Sequence, residues 1–402
     1  MRILFLTDNF PPEVNAPATR TYEHCREWVK QGADVTVITC APNFPRGKVF
    51  EGYQNKYAEE SIDGIRVIRV RTYIAANKGT VRRSLDYLSF YFAAIRAGRR
   101  LDCDVIIGTS PQFFTVLAAK RLAKFRKKPW IMEVRDIWPE SIKVVEAVRE
   151  SMIIRYLEKK EIQCYDSAEK IVCVTRGIYN RLKERGVPEG KLKVFTNGSN
   201  LEKYFPREKN AGLLKKFKLE KKSVVGYVGT MGLSHKLDFI LRCAFRIEDP
   251  SIHFLLVGEG AEKENLLRLK SELGLKNVTI TDGIPKTAVP EYLSVIDIAL
   301  INLKKKDLFL GALPSKIFEN AAMGKPLLLG LQGEAQRVVE KYRAGLSFEP
   351  ENEDDFIEKL RILKRNKEFY KQCADGCIKL AKDYDRKKIA ANMLEYIKTS
   401  IE

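Results

Sequence analysis

Histidine is scarce in this sequence, and so are the patterns that turn cysteine into chemistry. Three histidines, His24, His235 and His253, stand among 402 residues, too few and too scattered for a zinc site or a relay of imidazole acids and bases. The eight cysteines (Cys25, Cys40, Cys103, Cys164, Cys173, Cys243, Cys373 and Cys377) form no C-x-x-C pair and read as reduced, packed thiols. The longest apolar stretches, such as Leu88–Ile95, fall far short of the roughly 20 residues that span a bilayer, so no transmembrane helix is expected. Met1 leads straight into the apolar run Ile3–Leu6 and then Asp8, without the charged and apolar regions of a signal peptide, and the expectation is a cytoplasmic protein. Internal repeats of solenoid length and low-complexity tracts are absent. There is no G-x-G-x-x-G fingerprint in the first strand-to-helix loop, which disfavours a dinucleotide site.

Positive charge is what the chain has in excess. Lys and Arg outnumber Asp and Glu 71 to 52, a net charge of +19, which predicts attraction to a membrane surface, a nucleic acid or a phosphorylated ligand. The excess sits in the N-terminal half. There Arg66, Arg69, Arg71, Lys78, Arg82, Arg83, Arg96, Arg99 and Arg100 face Asp86 alone as an acid, and Lys120, Arg121, Lys124, Arg126, Lys127 and Lys128 follow. A nucleic-acid-binding protein would add a stacking platform or a recognisable motif, and neither is found, so no specific nucleic-acid partner is expected.

With 45% apolar residues over this length, two or more domains are expected. Short β-branched runs alternate with amphipathic segments of helix length, the pattern of doubly wound α/β parallel sheets. Strands are expected at 3–7, 35–39, 65–71, 105–108, 130–134, 171–174 and 192–195. After a polar, lysine-rich interval near 202–222, a second series follows at 224–228, 253–257, 278–281, 298–301, 326–329 and 345–348. This predicts an N-terminal domain at 1–200, a C-terminal domain at 201–380, and a last helix at 381–402 that crosses back onto the first domain. Ligands of open α/β sheets bind outside the carboxyl ends of the strands, so a cleft between the sheets is the expected site.

Three segments there invite a chemical reading. The first strand-to-helix loop, Thr7-Asp-Asn-Phe-Pro-Pro-Glu-Val-Asn-Ala-Pro-Ala-Thr19-Arg20, is long and proline-rich, and Ala16 and Ala18 leave room for a phosphate at a helix start; a plain structural loop is the alternative. The second domain opens with Gly226-Tyr-Val-Gly229-Thr230-Met-Gly232-Leu-Ser-His-Lys236, glycines for close backbone approach to a diphosphate and a lysine beside it, or else a solvated lysine. Then comes Leu310-Gly-Ala-Leu-Pro314-Ser-Lys-Ile-Phe-Glu319-Asn-Ala-Ala-Met-Gly324-Lys-Pro326, with a proline that opens a helix and a glycine that stops it. A carboxylate within that helix can accept both vicinal hydroxyls of a ribose, or can be an exposed helix glutamate.

Taken in order, these segments resemble glycosyltransferase family 4 over essentially the whole chain. The likeness extends to Val257-Gly258-Glu-Gly260, to Gly283-Ile284-Pro285 and to Thr196-Asn-Gly-Ser-Asn-Leu-Glu-Lys-Tyr-Phe205-Pro206. Phe10-Pro-Pro-Glu, Ala16-Pro-Ala, Arg135-Asp136-Ile-Trp138-Pro139-Glu140-Ser141 and Pro314-Ser-Lys-Ile-Phe-Glu319 are similar to the subgroup of L-fucosamine transferases of surface-polysaccharide assembly. The resemblance implies a GT-B fold, two Rossmann-like domains with parallel sheets facing across a cleft. It also implies retaining transfer of a sugar, an N-acetylated amino sugar in that subgroup, from a nucleoside diphosphate donor, expected to be UDP-linked. No cofactor or divalent metal is expected: Asp102-Cys-Asp104 has the D-x-D form of metal-dependent relatives with another fold, but lies at the strand end away from the expected cleft.

Carried over residue by residue, the resemblance makes Glu319 the ribose carboxylate, matching the second glutamate of E-x7-E; the first falls on Gly311 and is lost. The arginine and lysine of G-R-x5-K fall on Thr230 and Lys236, so the lysine alone survives. The backbone amides near Leu313–Lys316, at a helix start opened by Pro314, and the side chains of Lys316 or Arg20, are candidates to compensate. The expected donor contacts are then Asn15, Gly229, Thr230, Lys236, Gly258, Gly283, Ile284, Leu313, Pro314, Ser315, Lys316 and Glu319. Lys236 would support the leaving phosphate charge, and Asp136, where the family often has a histidine nearby, would orient a hydroxyl or act as base. Arg20, Arg135, Asp136 and Trp138 are expected on the acceptor side, with a structural cap packed on Trp138 as the alternative.

The acceptor expected is a glycan or a polyprenyl-linked saccharide. The segment Arg82–Arg96, aromatic with flanking arginines, suits peripheral contact with anionic lipid on the cytoplasmic face of the membrane, or is a core helix. Two other readings compete: a nucleotide-sugar 2-epimerase or hydrolase of the same fold, and a basic nucleic-acid-binding protein.

Overall fold

A computed structural model of the chain describes residues 1–44, 47–74, 80–138 and 152–401. Lys78, Pro139, Glu140 and Ser141 of the sequence patterns above lie outside the described residues. Two compact units result, Met1–Thr196 with Arg386–Glu402, and Asn197–Asp385.

Among the described residues the first unit is built on eight strands: β1 (Arg2–Leu6), β2 (Asp34–Cys40), β3 (Ala58–Ile62), β4 (Ile65–Val70), β5 (Val105–Thr109), β6 (Trp130–Val134), β7 (Lys170–Cys173) and β8 (Leu192–Val194). They lie in the order β3-β4-β2-β1-β5-β6-β7-β8. Around them run α1 (Ala16–Lys30), α2 (Thr80–Gly98), α3 (Phe113–Arg126), α4 (Met152–Ser167) and α5 (Arg176–Glu184). Helices cover both faces, so β1 is apolar at every position from Ile3 to Leu6. Its side chains alternate between two cores: Leu4 and Leu6 pack with residues of α2 and α3, Ile3 and Phe5 with Cys25 and Trp28 of α1.

The sheet departs from the expected all-parallel form at β3, which pairs antiparallel with β4. Asp63 and Gly64 both hold positive φ, 50° and 79°, the two-residue Asp-Gly turn whose twist suits a tight hairpin.

The second unit has six parallel strands: β9 (Ser223–Val228), β10 (Ile252–Val257), β11 (Val278–Thr281), β12 (Ile298–Asn302), β13 (Leu327–Gly330) and β14 (Gly345–Ser347). Their order is β11-β10-β9-β12-β13-β14. Its helices are α6 (Ala211–Phe217), α7 (Leu237–Phe245), α8 (Lys263–Glu272), α9 (Val289–Ser294), α10 (Ser315–Ala322), α11 (Glu334–Tyr342), α12 (Glu353–Arg365) and α13 (Lys367–Asp383). The interval at 202–222, expected as a linker, is part of this unit. Asn210 caps α6 by accepting from the Leu213 amide, and Tyr204 and Leu219 are buried in the unit's core.

The chain then re-enters the first unit as α14 (Arg386–Ile401). There Arg386 pairs with Glu23, and the Trp28 indole donates to the Ala390 carbonyl at 2.8 Å. The boundaries fall at 196/197 and 385/386, a few residues from those expected, because Arg20 grips the carbonyls of Phe195 and Thr196. Beyond them, Ser199 donates its amide to the Tyr384 carbonyl within the second unit.

Reversals of strand order, where a crevice opens at the carboxyl ends, lie between β1 and β5 in the first unit and between β9 and β12 in the second.

Candidate functional site

In the second unit, three glycine-bearing loops leave the carboxyl ends of β9, β10 and β11 and touch one another. Gly229 donates its amide to the Val257 carbonyl at 2.8 Å, and Gly258 donates to Thr281 at 3.1 Å. The approach is so close that a Cβ on Gly258 would stand 1.8 Å from the Gly229 oxygen. Gly283 closes the set by donating to the Glu259 carboxylate at 3.1 Å. Ile284 packs partly buried on the core. The glycines expected to let backbone approach a diphosphate here let two loops approach each other.

Beside these loops stands α10. Leu313 is buried beneath it, Pro314 occupies the N-cap with extended backbone, and Ser315 and Lys316 form the first turn. Glu319 lies one turn on, its side chain 10% exposed, and accepts an ion pair from Lys286 at 2.7 Å. Burial works against the Lys286 charge, yet Glu319 and Tyr204 outweigh it and hold the ammonium above its usual range.

Lys316 turns toward β9. Its ammonium donates to the Tyr227 hydroxyl at 2.8 Å and stands 4.3 Å from that ring's centroid. The hydroxyl in turn donates to the Thr230 carbonyl at 2.5 Å, which fixes the loop where the family arginine would stand. Burial pushes Lys316 down to about 8, with Glu319 pulling it up and Lys286 down. His235 is pushed to about 3 by burial and then by the Lys316 charge. Thr230 itself is exposed.

Lys236, expected as the surviving phosphate cation, sits in a partly exposed ion pair. It takes a left-handed conformation at φ 49° before α7, and its ammonium pairs with Asp238 at 2.8 Å. The Asn302 amide holds the carbonyls of His235 and Lys236 from β12.

The first unit carries the remaining residues. Asn15, expected among donor contacts, lies here and spends its carboxamide as the cap of α1, accepting from the Ala18 amide at 2.9 Å. Arg20, expected to face an acceptor, is a buried strut: its guanidinium donates to Glu133 at 3.0 Å and to the carbonyls of Thr196 at 2.7 Å and Phe195 at 2.8 Å. Glu133 is completed by the Thr109 hydroxyl at 2.7 Å.

At the end of β6, the Ser110 hydroxyl accepts from the amides of Arg135 at 2.8 Å and Asp136 at 3.2 Å. Asp136 is exposed. The Arg135 Nη1 is buried and has no hydrogen-bond partner among the described residues. Trp138 stacks on Phe113, centroids 4.8 Å apart, as packing beneath the turn.

Sequence reasoning passed over three residues. Lys286 follows Gly283-Ile-Pro285 directly, and that adjacency was its one visible signal. Tyr227 lay inside an expected strand and was given no role. Asp8, at the β1 end of the first unit's crevice, is raised above the ordinary carboxyl range by burial, with Asn9 and Arg135 opposing.

Two doubly wound sheets, each with its crevice at the carboxyl ends of the strands, are the architecture of the GT-B fold. Residues 17–203 match the family model described as Glycosyltransferase Family 4, and residues 213–379 match that described as Glycosyl transferases group 1. The chain belongs to the family 4 glycosyltransferases. WcaI of Escherichia coli K12, named for colanic acid biosynthesis, is 25% identical over 334 residues, 81% of this chain and 82% of its own. TuaH of Bacillus subtilis 168, named for teichuronic acid biosynthesis, is 25% identical over 49% of each chain. A sucrose-phosphate synthase from Thermosynechococcus elongatus superposes with a TM-score of 0.78 at 15% identity, covering 99% of this chain and 98% of its own. Anabaena HepE, solved with UDP-glucose, gives 0.74 at 14% identity over 99% and 100%.

Proposed function

We propose that this glycosyltransferase moves an N-acetylated amino sugar from a UDP-linked donor, held by the second unit, to a glycan or polyprenyl-linked saccharide in cell-surface polysaccharide assembly. The observation that carries the donor assignment is Glu319, a nearly buried carboxylate facing two lysines beside the glycine loops. One carboxylate with two oxygens suits vicinal ribose hydroxyls, and the surrounding cations suit a diphosphate. HepE, crystallised with UDP and with UDP-glucose, supports UDP as the first nucleotide to try. The names of WcaI and TuaH support a surface polysaccharide as product. The amino sugar and retention of configuration rest on the family resemblance.

Transfer without a divalent metal is part of the same reading. The Asp102 and Asp104 carboxylates both engage Arg2 at the amino end of β5, opposite to the strand ends that carry the loops. A 2-epimerase would need histidine acid–base chemistry. Here His253 is bonded to Thr279 at 2.8 Å, His24 is buried and kept neutral, and His235 is held near 3.

Peripheral contact with anionic lipid through α2 is the setting we favour. One face of that helix is core, with Phe90, Ala94 and Ile95 buried, while Leu85, Leu88 and Phe92 are exposed beside Arg82 and Arg96. Among the described residues no helix is long and apolar enough to cross a membrane.

Thermal-shift titration with UDP, GDP and ADP in EDTA, wild type against Glu319→Ala, tests the donor site. Stabilisation by one nucleotide that the variant loses is expected. No stabilisation by any of them would remove the donor assignment.

A further inference from the structure

A nucleoside diphosphate brings concentrated negative charge, and of the two positions expected to meet it one is threonine, Thr230, and the other, Lys236, shares its charge with Asp238. A different cation stands against the same loop. The Cβ that Gly229 lacks would lie 2.3 Å from Lys316 Cε and 2.7 Å from its Nζ. Gly229 also holds φ 148°, so its backbone and its empty side-chain space both admit the lysine.

We propose that Lys316, reaching from the first turn of α10 onto the β9 loop, is the cation that binds the donor's diphosphate and stabilises it as leaving group, with Gly229 a glycine in order to admit it. This rests on the donor reading above and assigns the charge within it.

Lys316 has donors to spare. An ammonium carries three N–H bonds, one of which goes to the Tyr227 hydroxyl. Among the described residues no carboxylate forms an ion pair with it; Glu319 acts on it through space, its Oε1 held by Lys286. Tyr227 from β9, neutral His235 from the turn before α7, and Lys286 and Glu319 are the titratable groups around it. A half-buried cation without a counter-ion is costly until an anion arrives, and burial has already brought it down to about 8. A bound diphosphate would reverse that cost. Tyr227, which also holds the Thr230 carbonyl, fixes the ammonium and the loop to one another, so the charge is in place before the leaving oxygen develops its own.

Calorimetry in EDTA can separate the diphosphate from the nucleoside. Uridine and UDP are titrated into wild type, Lys316→Met and Gly229→Ala, or the guanosine or adenosine pair if that base binds wild type. A lost charge-assisted contact predicts UDP binding weaker by about 10- to 100-fold in Lys316→Met, with uridine binding unchanged. Gly229→Ala, which displaces the lysine and leaves its charge, should lose the same increment. Above about pH 7.5, where a terminal phosphate is already ionised, the advantage of UDP over uridine should fall with pH in wild type and stay flat in Lys316→Met. A Lys316→Met protein that melts no lower than wild type and binds UDP equally well overturns the proposal and leaves the donor site standing. Equal loss of uridine and UDP assigns Lys316 a packing role and also overturns it. A wild type that binds neither refutes the donor reading itself.

Discussion

Lys286 and Glu319 form an ion pair, 2.7 Å from Nζ to Oε1, between residues that come from the β11 loop and from α10. The carboxylate assigned to ribose recognition thus has one oxygen engaged before any nucleotide arrives. A donor must share that oxygen with the lysine or move the lysine aside, and the energy of doing so is subtracted from its affinity.

Lys286 accordingly should tune the site without being required for it. In Lys286→Met the carboxylate keeps its place on α10 but loses its tether. Nucleotide affinity is expected to change by less than about tenfold, the scale of one partly exposed ion pair, while Glu319→Gln loses binding outright. Thermal-shift titrations of the two variants decide it: a Lys286→Met protein as inactive in binding as Glu319→Gln would show that the pair acts as one unit.

Gly258→Ala tests the crossing of the glycine loops. The added methyl would stand 1.8 Å from a backbone oxygen, which cannot swing away as a side chain could. A loss of about 1–3 kcal/mol is expected from the forced backbone shift, read as a lower urea midpoint at unchanged slope.

Arg20→Met should be among the most damaging substitutions in the first unit. It leaves Glu133 buried without its ion-pair partner and releases the carbonyls of Phe195 and Thr196. Breaking one side of a buried pair costs about 3–5 kcal/mol. Urea unfolding measures it, and a change within error would mean that Arg135 takes over the charge.

Lys316 makes a pH prediction of definite sign. Its folded pKa of about 8 lies below the ordinary lysine value, so between the two the unfolded chain holds more protons and stability rises with pH. Lys316→Met removes that dependence. At pH 7 the variant, free of a buried charge, should melt above wild type in the absence of ligand; a lower melting point would show that the bond to Tyr227 outweighs the burial cost.

The parallel strands were legible because both faces of each sheet are covered, which forces apolar runs with sharp ends. Β-strand β3 was not: Ala58-Glu-Glu-Ser-Ile62 is a polar edge strand, and its best signal was the Asp63-Gly64 turn after it. Helix α6 hid in the same way among the lysines of 209–222. Glu319 could be placed from its motif, but its partner comes from a loop 33 residues earlier, a distance over which spacing says nothing. Arg20 was misread for the same reason. An arginine after a proline-rich loop looks exposed until Glu133, 113 residues away, is folded against it.

The first unit is made from two separate stretches of chain, and this gives its folding an order. During synthesis the second unit has all of its strands and helices once Asp385 has emerged. The first unit, begun earlier, is still incomplete then: the indole of Trp28 lacks the Ala390 carbonyl, and Glu23 lacks Arg386. The half of the protein that is translated first therefore cannot close until Arg386–Ile401 has been made, and before then the apolar faces of α1 and β1 that this helix covers stay open to chaperones.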